Sequence, residues 1–510
     1  MVAGKLKTGV FFVPFLLLLV SMAYSLWDAG GFLHAVKGMN DWILGHFGRL
    51  FSLATFFFFI LCVWIYFSPL AQVRIGGEGA VPLLGRRQWF SVILCTTIAI
   101  GILFWGTAEP LYHLHAPPGG IGISPVTDGA ARFSMSTMFM HWTFTPYSIY
   151  TLASLAFAVA YYNYRQSFSI GAMLFPILGE KSTRWGNWID AISLCSLVAG
   201  MAASLGAGVL TISGGMERYF GADGGPLLLG GITLSVVAAF VISSITGLTR
   251  GIKSLSRLNT YMFFLLVGIA LVFGPMRSLF VIGLEGLGGY VQTFIPRSLG
   301  IGIEKSWSDS WTVFYWANWL AWTPVTAVFL GRLAVGYTVR EFIHFNLLLP
   351  ASFGILWMWV FSGNALYIDY YAGSQDLYGI LQTKGPENVV YAVLDTFPWP
   401  RTLGIAFFLT AFLSYVAGAD ANTSAMGGLC VGGISPESPE APPWIKIAWG
   451  GTIGLCAWVM VAYAGIDGIK MASNLGGVPA LALMLIIAAG WIRMLLHAYR
   501  QKADQYNPNL

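Results

Sequence analysis

Residues 51–70 read FSLATFFFFILCVWIYFSPL, and no side chain among them is charged. At 1.5 Å per residue a helix of about 20 residues crosses the ~30 Å hydrocarbon core of a bilayer. Runs of this kind recur along all 510 residues, which are 56% hydrophobic and only 10% charged. A soluble domain carries about 25% charged residues. The sequence therefore reads as an all-α polytopic membrane protein. Its net charge of +5 lies in the connections between apolar runs, which excludes a nucleic-acid binder.

Twelve spans are expected, near 9–28, 51–70, 89–107, 134–162, 187–210, 227–247, 256–276, 311–331, 343–365, 401–424, 443–465 and 474–498. The first follows Lys5 and Lys7 as a signal peptide would. Its run is long for a signal core and no small-x-small cleavage site follows, so it reads as an uncleaved helix. The glycine-punctuated stretch 277–310 reads as an amphipathic helix at the outer interface. Seventeen of the 27 Lys and Arg residues fall on one side if the N-terminus is inside, which places both termini in the cytoplasm. The five cysteines show no C-x-x-C pair and read as core residues. His113 and His115 are too few for a metal site, and no cofactor is expected.

Residues 310–324, SWTVFYWANWLAWTP, place Trp319 and Trp322 two to three turns inside a span, below any interfacial belt. A second set lies in HWTFTPYSIY, 141–150, where Trp142, Tyr147 and Tyr150 share one helical face. Ring faces carry negative quadrupole, and each desolvated ring holds a methyl-shielded cation by roughly 0.5–2 kcal/mol. The competing reading is aromatic helix packing.

WTVFYWANWLAWTP with VFLGRLAVGYTVREFI resembles the signature of the betaine/carnitine/choline transporter family, and ILFWGTAEPLYH resembles its FWG-x-AEP element. HW at 141–142, SLGAG at 204–208 and, more loosely, GADAN at 418–422 follow in the family's order. The resemblance implies a leucine-transporter-like fold of twelve helices with two inverted five-helix repeats. It implies a single domain over 1–510, with two peripheral helices in 1–88, a ten-helix core in 89–498 and a short cytoplasmic tail in 499–510. It also implies a homotrimer in the bacterial inner membrane and a small methylated ammonium or sulfonium substrate, such as betaine, choline, carnitine, dimethylsulfoniopropionate or trimethylamine.

By position, the implied substrate box is Trp142, Tyr147, Tyr150 and Trp319, with Trp316 and Trp322 along the path. Asn318 replaces a Trp of the usual W-A-W-W pattern. It either bonds a polar end of the substrate or packs between helices, and its offset of about 100° from Trp319 favours packing. The coupling-ion region, Ile98, Gly101, Met201, Arg257, Ala417 and Gly418, departs from the sodium-coupled pattern. TIAIG at 97–101 keeps only its last glycine, Met201 and Ala203 stand at frequent threonine positions, and Ala417 and Gly418 replace a Thr-Ser pair. Arg257 reads equally as a fixed charge replacing sodium and as an inner-loop residue. Glu109, Asp190 and Asp420 lie within or near spans as candidates for titration, and for Glu109 and Asp420 a structural role, such as capping broken helices, is favoured. These losses imply sodium-independent transport, by proton coupling or exchange. The alternatives are a sodium symporter using backbone carbonyls and a substrate-gated sensor or channel on the same scaffold.

Overall fold

The computed structural model describes residues 4–97, 99–246, 251–434 and 440–506. The described chain is helical, with two isolated β-bridges, Leu6 to Val431 and Arg74 to Thr338. Among the described residues, ten helices are long and apolar enough to cross a membrane, or eleven if one bent pair counts as a single span. The first two are α1, Thr8–Trp27, and α2, Ala29–Phe67. Asp28 separates them and accepts the Gly31 backbone N–H at 2.8 Å, an N-cap that starts α2. The bent pair is α3, Arg86–Thr97, and α4, Ala99–His115, with a 57° change of direction.

The expected span 134–162 is two helices of 15 residues, α5, Asp128–Trp142, and α6, Phe144–Ala158. They are separated at Thr143, whose φ of −124° and ψ of −116° are not helical. Each half is shorter than a bilayer crossing. Next come α7, Lys181–Phe220, α8, Pro226–Thr246, and α9, Gly251–Phe273. The stretch expected to lie at the interface forms α10, Met276–Ser298, which is long and apolar enough to span. It packs along α5 and α12, defined below.

Helix α11, Phe314–Arg332, fails the test of a long apolar span although a span was expected there. Its surroundings explain this. From Phe314 to Gly331 every residue except Asn318 is buried, so its tryptophans and threonines face protein rather than lipid. Helix α12, Leu349–Leu366, lies in the apolar helical run Val339–Tyr371. Helix α13 is Pro400–Leu429. Helix α14, Pro443–Tyr506, runs as one helix through Pro479 where two spans were expected; its span-length stretches are Pro443–Ala462 and Ile466–Lys502.

Backbone groups freed inside a membrane need partners. Pro110 in α4 has no N–H for the Gly106 carbonyl, and Ser362 of α12 supplies the missing donor at 2.6 Å. One turn earlier, the Trp357 indole donates to the Ile102 carbonyl at 3.1 Å. These two bonds hold α12 against α4 and set the height of the next group along α4, Glu109.

Candidate functional site

Glu109 is fully buried and accepts four hydrogen bonds. Its Oε1 takes the His113 Nε2–H at 3.1 Å and the His141 Nδ1–H at 2.7 Å. Its Oε2 takes the Trp142 indole at 2.8 Å and the Tyr315 hydroxyl at 2.6 Å. An ionised carboxylate only accepts, so these contacts set both imidazole tautomers. His141 Nε2 is left to accept from the Thr312 hydroxyl at 3.0 Å, and His113 Nδ1 has no partner. Glu109 therefore joins α4, α5 and α11, rather than capping a broken helix as the sequence reading expected. Glu109, His113 and His141 offer atoms within 4.8 Å of one another, enough to hold a metal ion. The hydrogen bonds already occupy those atoms and account for the arrangement without one. His115 stands apart, paired with Asp369 at 2.7 Å and stacked on Tyr378.

The carboxylate fixes Trp142, and Trp142 forms one wall of a cavity of about 50 Å³. Trp319 is the centre of the aromatic group. Its ring centroid lies 6.0 Å from Trp142, 5.4 Å from Tyr147 and 5.1 Å from Tyr150. All four rings are buried, and the Trp319 Nε1–H has no partner. Trp142, Tyr150, Trp319, Trp322 and Asn318 line the cavity. Tyr147 packs behind Trp319 and is not among the lining residues, and neither is Trp316, whose ring meets His141 edge-on at 5.9 Å. Trp322 is held by a 3.1 Å bond to the Ser204 hydroxyl of α7. Gly101 gives Trp142 its room: a Cβ there would lie 2.7 Å from Cη2 and Cζ3 of the indole.

Asn318 is tied to a neighbouring helix. Its Oδ1 accepts the Ser473 hydroxyl of α14 at 3.0 Å, and the residue also lines the cavity. In the coupling-ion region, Gly101 and Gly418 line the cavity, while Met201 and Ala417 are buried beside it. The Tyr415 hydroxyl donates to the Met201 carbonyl at 2.9 Å, and Asn422 Nδ2 donates to the Gly418 carbonyl at 2.9 Å. Ile98 lies outside the described residues. Arg257 is exposed at the start of α9 and does not line the cavity. Asn259, two residues on, enters the interior instead and donates to Ser414 at 2.8 Å. Arg257 thus stands apart from the aromatic cavity, and Asn259 is the nearby polar residue that reaches the interior.

The sequence matches the profile of the betaine/carnitine/choline family of transporters over residues 9–500. The chain belongs to this family. It is 30% identical over 480 residues to a glycine betaine/proline/choline/ectoine transporter of Vibrio parahaemolyticus, covering 91% of this chain and 83% of that protein. It is 28% identical to an osmo-dependent choline transporter of Acinetobacter baylyi, over 99% of this chain and 73% of the relative. A glycine betaine transporter of Vibrio parahaemolyticus shares 29% identity over 91% and 88%. Among solved structures, a Na+-coupled sialic acid symporter superimposes with a TM-score of 0.45 at 13% identity, over 88% of this chain and 85% of that one. This family member is thus a polytopic membrane transporter and not an enzyme.

Proposed function

We propose that this transporter carries small quaternary ammonium compounds, of the betaine and choline type named for its relatives, across a bacterial inner membrane by alternating access. Within that reading it is a single domain whose core, 89–498, has ten helices in two inverted repeats. With two peripheral helices in 1–88 it has twelve helices of the leucine-transporter-like type. It works as a homotrimer with both termini cytoplasmic. The observation that carries the substrate reading is Trp319, whose ring lines the cavity within 5.1–6.0 Å of three other buried rings, two of which, Trp142 and Tyr150, also line it. A trimethylated ammonium is poorly hydrated and exchanges little solvent for those π faces, whereas a bare ammonium loses much.

Transport is sodium-independent and runs by proton coupling or exchange. The support is chemical. A hard cation needs oxygen ligands, and Met201, Ala417 and Gly418 offer no side-chain oxygen at the positions of interest. The carbonyls of Met201 and Gly418 are already taken by Tyr415 and Asn422. Uptake of labelled glycine betaine and choline into proteoliposomes tests both parts. Uptake of at least one, unchanged when sodium is replaced by potassium, is expected. Uptake that stops without sodium refutes the coupling reading, and no uptake under any ion gradient refutes the substrate reading.

A further inference from the structure

A second cavity opens beside the aromatic one, and Phe314 lines both. The charged residues around this vestibule are Lys37, Asp41, Asp309, Asp467 and Lys470, with His34 beside them. Asp309 is already engaged by Lys305 in an ion pair. Lys470, half-buried on α14, sits where the two cavities meet. Its Nζ lies 4.1 Å from the ring centroid of Trp311, 5.5 Å from Phe314 and 5.9 Å from Trp105. Trp105 lines the aromatic cavity. The Lys470 ammonium donates to the Ser310 carbonyl at 3.4 Å and forms no ion pair among the described residues.

A half-buried ammonium held by rings and one long carbonyl contact has one strong kind of partner still open to it, an anionic oxygen. Its position matters as much as its charge. Phe314 separates it from the aromatic cavity by the thickness of one ring, and in so apolar a place a fixed charge acts over several ångströms. The rings that hold it present the same negative faces that a methylated ammonium seeks. A cargo with only positive charge therefore meets repulsion at the neck and competes with Lys470 for the same faces. A cargo with an attached carboxylate brings its own counter-charge.

We propose that Lys470 is a specificity-determining residue at this neck, favouring carboxylated, net-neutral onium compounds over purely cationic ones. This rests on the function proposed above and narrows its substrate class to betaine-type zwitterions. Asp41 and Asp467, farther out in the vestibule, draw the onium end inward, and Lys470 receives the carboxylate.

The test measures affinities of glycine betaine and choline for the purified protein by quenching of indole fluorescence. The wild type is compared with Lys470→Gln and Lys470→Arg, and thermal unfolding checks that each variant is folded. The wild type binds betaine more tightly than choline, and Lys470→Gln lowers the betaine-to-choline affinity ratio about tenfold or more. Lys470→Arg, which keeps the charge, preserves the ratio within about threefold. A ratio unchanged in folded Lys470→Gln, with both ligands still bound, overturns the role of Lys470 and leaves the aromatic site standing. A wild type that binds neither ligand overturns the substrate reading and this inference with it.

Discussion

Replacing Glu109 separates two ways in which a buried carboxylate can serve a binding site. In Glu109→Gln one acceptor oxygen becomes an NH2 donor, and it must face one of two donor pairs. Turned toward Trp142 and Tyr315, it meets an indole N–H that cannot accept. Turned toward His113 and His141, it meets two rings that can each move a proton to the other nitrogen. His113 Nδ1 has no partner to lose, and the Thr312 hydroxyl next to His141 Nε2 can accept as well as donate. The amide therefore settles toward the histidines, and its remaining oxygen keeps Trp142 and Tyr315. The cost is the charge assistance in four bonds, at roughly 1 kcal/mol each, less the cost of burying the charge that the amide avoids, or about 2–3 kcal/mol of stability. Trp142 stays in place, so betaine affinity falls by about threefold or less. Glu109→Leu removes the acceptor altogether. Trp142 then loses its anchor, and affinity falls more than about tenfold, equivalent to at least ~1.4 kcal/mol. Thermal unfolding in detergent reads the first effect and fluorescence titration the second. If folded Glu109→Gln loses binding as completely as Glu109→Leu, the carboxylate acts through its charge and the positioning argument is refuted.

Trp319→Ala removes the ring around which the other three gather, and should weaken betaine or choline binding by one to two orders of magnitude, about 1.5–3 kcal/mol; an unchanged dissociation constant excludes Trp319 from the site. Gly101→Ala places a methyl 2.7 Å from two atoms of the Trp142 ring. Overpacking of this kind costs about 1–3 kcal/mol, so a lower unfolding temperature with weakened binding is expected, and a neutral result shows that the indole has room to move. Arg257→Gln alters an exposed side chain. Uptake should be unchanged within about twofold, since surface substitutions stay within about 0.5 kcal/mol, and abolished uptake would favour the fixed-charge reading.

Much of the helical layout and the aromatic group was legible in the chain because both depend on local pattern. Apolar runs of bilayer length identify spans, and the aromatic residues of 141–150 are visible as a group. Trp142 and the two tyrosines, however, sit on separate helices either side of Thr143 and converge on Trp319 rather than sharing one helical face. Helix α11 was legible as a helix, while its immersion in protein on all sides follows from packing by other parts of the chain. The break at Thr143 has a local mark in Pro146, which has no N–H for the Trp142 carbonyl and sits in the first turn of α6, although the apolar run on both sides reads as one span. The partners of Glu109 were half visible: His113 lies one turn away, but Tyr315 is 206 residues distant. Asn318 and Ser473 are 155 positions apart, and nothing in either neighbourhood names the other. Lys470 is the plainest omission. In sequence it is one lysine in a helical run near Asp467, as a solvated helix end would be, and only the approach of Trp311, Phe314 and Trp105 reveals its setting.

The proline in α4 has a mechanical consequence. With the Gly106 carbonyl dependent on Ser362 for the donor that Pro110 lacks, any tilt of α4 alone would strip that oxygen of its donor in a medium that offers no water, and would also break the Trp357 bond to the Ile102 carbonyl. The pair α4 and α12 must therefore travel as one rigid lever, carrying Glu109 and its four donors along. Because α3 and α4 differ in direction by 57°, that lever stands at an angle to α3 and is not simply its continuation.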